Sequence, residues 1–293
     1  MLRFLFAVPF VLALAVASAS GQKQPTVPDG VTFETGIEYT NPDDQHLKLN
    51  MARPKGDGPF PAVVCIHGGG FRAGKRESYD ALTIKLAERG YVAVTVSYRL
   101  APKYPFPAAI HDTKAAVRWL RAHAKQYHID PDRIGTTGGS AGGHLAQFLG
   151  VTGDVKEFEG TGGHAEQSSK VKCVVNVYGP SDFTRSYGKS VDAAEVLPLF
   201  LGGNVEKARA LHIKASPLYW VTPNAAPTLF IHGTEDKYVH VEQAEWIHDK
   251  LKAASVETEL LKLEGAGHGF KGKEIETSEK ALFAFFDKHL KAK

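Results

Sequence analysis

The sequence predicts an α/β protein built on a mainly parallel sheet of eight strands with helices on both faces. Short, continuous apolar runs recur along the chain, as in strands buried on both sides. Between them lie segments with apolar residues three and four apart, the spacing of helices that cover a sheet. With 293 residues, 43% hydrophobic and 23% charged, the chain is long enough for one large core rather than two separate domains.

Two opening strands, over 31–39 and 46–51, flank the turn Asn41-Pro42-Asp43-Asp44 and suit an antiparallel pair. A buried strand follows over 61–66, then a helix with Tyr79, Leu82 and Leu86 on one face, stopped by Gly90. Strand 91–97 precedes a helix marked by Thr113, Ala116, Val117 and Leu120. Strands over 133–137, 171–177, 227–231 and 257–263 complete the sheet. The last helix faces are Ala244, Ile247 and Leu251, then Leu282, Phe285, Phe286 and Leu290. The polar stretch 153–170 reads as a surface loop, with no internal repeat or low-complexity tract beside it.

Strand 133–137 runs into Gly138-Gly139-Ser140-Ala141-Gly142 and then a helix-forming stretch, so Ser140 sits at a sharp strand-to-helix corner. Glycines two before and two after it leave room for the crossing chain, and its hydroxyl stands at a helix N-terminus. Such a serine needs a base, and the base needs an acid to hold its tautomer. In the order serine, acid, histidine, the chain offers Asp236 after strand 227–231 and His268 after strand 257–263, with Glu235 as the alternative acid. Upstream, strand 61–66 ends in His67-Gly68-Gly69-Gly70-Phe71, the HGGG form of an oxyanion hole. Gly69, Gly70 and Ala141 are the expected N–H donors, and His67 the residue that fixes the loop. Each motif has a plain structural reading: a turn aspartate, a loop histidine, a flexible glycine turn. Their occurrence together, at the C-terminal ends of strands, favours the chemical one.

The stretch Gly69 to Lys75 spaces its glycines and lysine like a phosphate-cradling loop, yet Arg76 stands where a magnesium-holding Ser or Thr belongs. No HExxH, paired CxxC or EF-hand pattern appears, so neither metal nor cofactor is expected. The formal charge of +3 is small and dispersed, which gives no reason to expect nucleic-acid binding.

Residues 1–19 read as a signal peptide: Met1-Leu2-Arg3, an apolar run over 4–16, then Ala17-Ser18-Ala19. Export to a secreted or periplasmic location is expected, with 20–293 as one catalytic domain and no stable membrane insertion once the signal is removed. Export would permit a disulfide between the only two cysteines, Cys65 and Cys173. The strand carrying Ser140 is expected between theirs, which separates them by about 9–10 Å at ~4.8 Å per strand step. A bridge needs Cα atoms within about 7 Å, so both are expected to be free.

With these motifs placed, the chain resembles the α/β-hydrolase superfamily. More narrowly, it is similar to carboxylesterases of the hormone-sensitive-lipase-like and bacterial feruloyl/acetyl-xylan esterase groups. The likeness runs nearly end to end, through Ser97-Tyr98-Arg99-Leu100-Ala101-Pro102, Tyr104-Pro105-Phe106-Pro107 with Asp112, Asp130-Pro131-Asp132-Arg133, the Ser140 corner, Ala215-Ser216-Pro217 and the strand before Asp236. The resemblance implies an α/β-hydrolase fold, with Ser140 as nucleophile, His268 as base, Asp236 as orienting acid, and Gly69, Gly70 and Ala141 as the oxyanion hole. It implies a short-chain ester substrate, either a small molecule or an acetyl or feruloyl ester on plant polysaccharide. Lipase-like relatives carry an N-terminal helical cap for which this chain has little room, so at most a small cap is expected. Any cover must come from 182–223, where 196–201 and Trp220 are candidate walls for the acyl group. His240 departs from the proline usual in relatives. His111 and His144 read as helix residues, the latter packed beneath the site. The rival readings are a lipase or peptidase of the same fold, the former lacking an evident long apolar lid, and a noncatalytic binding protein on the same scaffold, which leaves the strained serine corner without a purpose.

Overall fold

The computed structural model describes residues 25–153 and 155–291. The expected signal segment therefore lies outside the described residues. Strands β1 (Val31–Thr40), β2 (Leu47–Pro54), β3 (Phe60–Ile66), β4 (Val92–Val96), β5 (Ile129–Gly139), β6 (Val174–Val177), β7 (Thr228–Gly233) and β8 (Thr258–Leu263) form one sheet, ordered β1-β2-β4-β3-β5-β6-β7-β8. β2 pairs antiparallel with both β1 and β4, and every later pairing is parallel. The helices are α1 (Asp80–Glu88), α2 (Ala108–Ala122), the single turn α3 (Ala124–Tyr127), α4 (Ala141–Val151), α5 (Ala193–Leu201), α6 (Val205–Lys214), α7 (Glu242–Ala253) and α8 (Lys273–Leu290).

Side-chain alternation along the central strands divides the core in two. Val64 and Ile66 pack with α2 and α4 through Val117, Leu120, Leu145 and Phe148. Val63 and Cys65 belong to the opposite layer, with Leu86 of α1 and Leu282, Phe285 and Phe286 of α8. All four strand residues are fully buried, which is why β3 reads as an unbroken apolar run rather than an alternating one. α7 covers Phe230 of β7 through Ala244, Ile247 and Leu251, as their helical spacing requires.

β5 lies between β3 and β6, so Cys65 and Cys173 sit two strands apart as buried free thiols. Burial pushes both thiols well above the ordinary range, which makes them inert. Among the described residues no helix is long and apolar enough to cross a membrane.

The stretch 153–170 is not merely a surface loop. Phe158 is fully buried, edge-on to Phe148 and Trp220 at ring distances of 4.9 and 5.0 Å. Glu159 accepts from Lys114 Nζ at 2.8 Å and Arg118 Nη1 at 2.7 Å, two buried cations on α2. Lys114 also donates to the Thr152 carbonyl at 2.7 Å and Ser169 Oγ at 3.0 Å. The loop thus covers the middle of α2 by satisfying charges that a sequence pattern assigns to solvent.

Candidate active site

Between β5 and α4, Ser140 has φ 56° and ψ −124°, a conformation costly for a residue with a side chain. Its N–H donates to the Val177 carbonyl at 3.0 Å, and its carbonyl accepts from the His144 N–H at 3.0 Å. The corner is crossed closely by β3. A Cβ on Gly142 would stand 2.0 Å from the Ile66 carbonyl oxygen, and one on Gly138 would stand 2.4 Å from the Gly142 carbonyl. Glycine is required at both positions because backbone meets backbone there.

Asp236 follows β7 and His268 follows β8, and backbone bonds tie their two loops together. Thr234 N–H donates to the Leu263 carbonyl at 3.1 Å and Glu235 N–H to the Ala266 carbonyl at 2.9 Å. His268 Nδ1 donates to Asp236 Oδ2 at 2.7 Å, and Ser140 Oγ lies 3.0 Å from His268 Nε2. The structure therefore brings Ser140, His268 and Asp236 into one hydrogen-bonded line, whereas the partner of His268 Nδ1 is Asp236 and not the alternative acid Glu235. Asp236 Oδ1 accepts the N–H groups of Tyr238 and Val239, each at 2.9 Å. Burial works to raise the Asp236 pKa. Hydrogen bonding by His232, His268 and the Val239 N–H outweighs it and holds the carboxyl well below its usual range. His232 gives Asp236 only a distant contact of 3.5 Å, its Nε2 donating mainly to the Val239 carbonyl at 2.6 Å.

On the other flank, the backbone N–H groups of Gly69, Gly70 and Ala141 have no backbone acceptor among the described residues. Gly69 has φ 116°, and a Cβ there would lie 2.2 Å from the Ala73 carbonyl oxygen. His67 fixes this loop: its Nδ1 donates to the Gly68 carbonyl at 2.8 Å and its ring stacks on Tyr98 at 4.3 Å. Arg76, the residue that spoils the phosphate-loop pattern, instead bonds Asn50 at 2.9 Å and Ser97 at 3.1 Å.

Two clefts meet at Ser140 and His268. One, with about 490 Å³ of space that is partly open to solvent, is walled by Phe71, Phe183, Val196 and Leu197, with Ser186 and Ser190 along its edge. The other, with about 940 Å³ of space more open to solvent, is bordered by Arg72, Tyr79, Tyr178 and Tyr238. α5 thus supplies the apolar wall expected of 196–201, while Phe200 lies one layer deeper, stacked on Phe71 at 4.0 Å. Trp220 is a correction. It packs on Phe158, away from the cleft, and donates from Nε1 to the Lys214 carbonyl at 2.7 Å.

His144 is fully buried beneath the apolar cleft, stacked on Phe183 at 4.6 Å and donating from Nδ1 to the Pro180 carbonyl at 3.1 Å. Burial pushes its pKa down to about 3, so it is a neutral packing residue. His111 is part-buried in the first turn of α2, where burial also lowers its pKa. His240 donates from Nε2 to the Lys189 carbonyl at 2.8 Å and so anchors one border of the cleft. Sequence reasoning missed Tyr178, whose ring lies 4.7 Å from that of His268, along with Tyr238, Phe183 and Asp192. All four sit in connecting segments or at an element's edge, where no periodicity marks them.

Fold and site together define an α/β-hydrolase. The chain belongs to the BD-FAE family, whose model matches residues 49–251. It is 34% identical over 219 residues to esterase LipC of Mycobacterium tuberculosis, covering 72% of this chain and 53% of that protein. A solved truncated form of a carbohydrate esterase from gut microbiota is similar at 26% identity and TM-score 0.77, covering 88% of this chain and 96% of that one. Thermogutta terrifontis esterase 2, solved phosphonylated by sarin, is similar at 26% identity and TM-score 0.79, covering 93% and 100%. The chain spans about half the length of the curated relatives it matches first.

Proposed function

We propose that this protein is a serine carboxylesterase that hydrolyses short-chain acyl esters through an acyl-enzyme. The observation that carries the reading is the line from Asp236 through His268 to Ser140, with links of 2.7 and 3.0 Å. Ser140 Oγ attacks the ester carbonyl carbon while His268 Nε2 takes its proton. The N–H groups of Gly69, Gly70 and Ala141 receive the developing oxyanion. As the carbon–oxygen bond to the alcohol breaks, His268 returns the proton to the departing oxygen. Water then repeats the sequence on the acyl group, leaving a carboxylic acid and free Ser140. Asp236 stays ionised in weak acid and so keeps its hold on His268 Nδ1 there.

The narrower apolar cleft takes the acyl chain, and its walls at Phe183, Val196 and Leu197 favour short ones. The wider cleft takes the alcohol, and its tyrosines suit a sugar or an aromatic ring. An acetyl or feruloyl ester on plant polysaccharide therefore agrees with both halves of the site, and a solved neighbour is described as a carbohydrate esterase. Export directed by residues 1–19 agrees with such a substrate. Its test is the N-terminal mass of the protein recovered outside the cytoplasm.

The deciding experiment compares wild type with Ser140→Ala on p-nitrophenyl esters of rising chain length, methyl ferulate and acetylated xylan. Turnover by the variant should fall by about 10³-fold or more with folding unchanged. A p-nitrophenyl dialkyl phosphate should add one phosphoryl group to wild type and none to the variant. Full hydrolysis of p-nitrophenyl acetate by Ser140→Ala would overturn the reading.

A further inference from the structure

Six residues border both clefts: Gly70, Ser140, Asp192, Val196, Tyr238 and His268. Two of them belong to the proposed machinery and one to the proposed oxyanion hole. Of the other three, Asp192 alone carries a formal charge. Among the residues lining the apolar cleft it is the only acidic or basic side chain other than His268. In the wider cleft the one other is Arg72, and Glu195 on α5 already holds that guanidinium at 2.5 Å. The Asp192 side chain has no cation within ion-pair distance among the described residues. It does not cap α5 either, although it precedes that helix, and its Oδ1 accepts only the Ser190 hydroxyl at 3.1 Å. Its backbone is firmly placed. The carbonyl of Asp192 accepts from Glu195 and Val196, and the segment before it is tied down by Val191 N–H to the Lys237 carbonyl and His240 to the Lys189 carbonyl.

A carboxylate fixed at the junction of both clefts acts on whatever part of an ester lies near the scissile bond. We propose that Asp192 is a charge filter. It admits uncharged esters and turns away those carrying a carboxylate near the reacting carbonyl, because the two negative charges meet in a partly desolvated cleft with no free cation to screen them. This makes Asp192 a specificity-determining residue, and it rests on the esterase reading above.

The test uses two substrates of the same length, p-nitrophenyl butyrate and p-nitrophenyl hemisuccinate, at neutral pH. In Asp192→Asn, which keeps the side chain's shape, the hemisuccinate-to-butyrate ratio of kcat/KM should rise about tenfold, the scale of one nearby charge pair. Added salt should raise the same ratio in wild type and leave the variant's ratio nearly unchanged. A ratio that stays within about twofold of wild type, or a wild-type ratio indifferent to salt, overturns the proposal. Failure of wild type to hydrolyse the butyrate would instead sink the esterase reading.

Discussion

On one side of Ser140 the chain is held by backbone against backbone, at Gly138, Gly142 and the Ile66 carbonyl. On the other side, residues 186–192 and α5 keep their places through hydrogen bonds and side-chain packing rather than a crossing of backbones, with Val191 62% exposed. The first region fixes the geometry that any acyl transfer at this serine requires. In the proposed reaction the second lines the two clefts that receive the acyl and alcohol groups. A close-packed backbone crossing tolerates no change, whereas a segment held by a few bonds can be altered with its surroundings intact.

Changes to the packed side should therefore cost most. Gly142→Ala would drive a methyl group into the Ile66 carbonyl, and we expect a loss of about 3 kcal/mol or more in urea unfolding, with activity abolished. A stable, active variant would break the contrast between the two regions. His144, packed beneath the same corner, gives a pH signature. Its folded pKa of about 3 lies below its unfolded value of about 6.5, so the unfolded chain binds the extra proton between them. Stability should then be fully present above about pH 6.5 and fall by about 1.4 kcal/mol per unit as pH drops toward 3. His144→Phe retains a ring beside Phe183, and its unfolding free energy should fall less steeply over that interval. Equal slopes would remove His144 from the account. The smallest effect belongs to His240→Ala, which cuts one hydrogen bond to residues 186–192. KM for butyrate esters should rise about two- to tenfold with the melting temperature nearly unchanged, as expected for a bond worth about 1 kcal/mol. A large fall in melting temperature would show that this segment is as tightly built as the corner.

The same contrast decides what could be read from the sequence. The central strands β3, β4, β6 and β7 were legible because burial on both faces leaves continuous apolar runs, and the edge strands β1 and β8, only partly buried, by their place beside turns and helices. The Ser140 corner and the loop after β3 were legible because close backbone contact demands glycine, and glycine is visible in a sequence. Asp236 and His268, which the structure joins to Ser140, were singled out by their order and by the strands before them. Asp192, Tyr178, Tyr238 and Phe183 were not, since they line the clefts only through where a connecting segment passes. Trp220 was misplaced for the same reason: a large aromatic beside a cleft-forming segment can face either way, and here Phe158 claims it. Phe158 was itself hidden in a stretch whose polar composition suggested solvent. The buried Lys114 and Arg118 that hold that stretch look like ordinary charges on an amphipathic helix.

That anchoring bears on how the molecule can be engineered. By composition, 153–170 is the natural place to trim a loop, graft a tag or open the chain for permutation. Any edit that removes Glu159 takes away the carboxylate that accepts from the enclosed Lys114 and Arg118, and breaking one buried pair costs about 3–5 kcal/mol. Insertions belong elsewhere, and Glu159 should travel with Lys114 and Arg118 in every redesign.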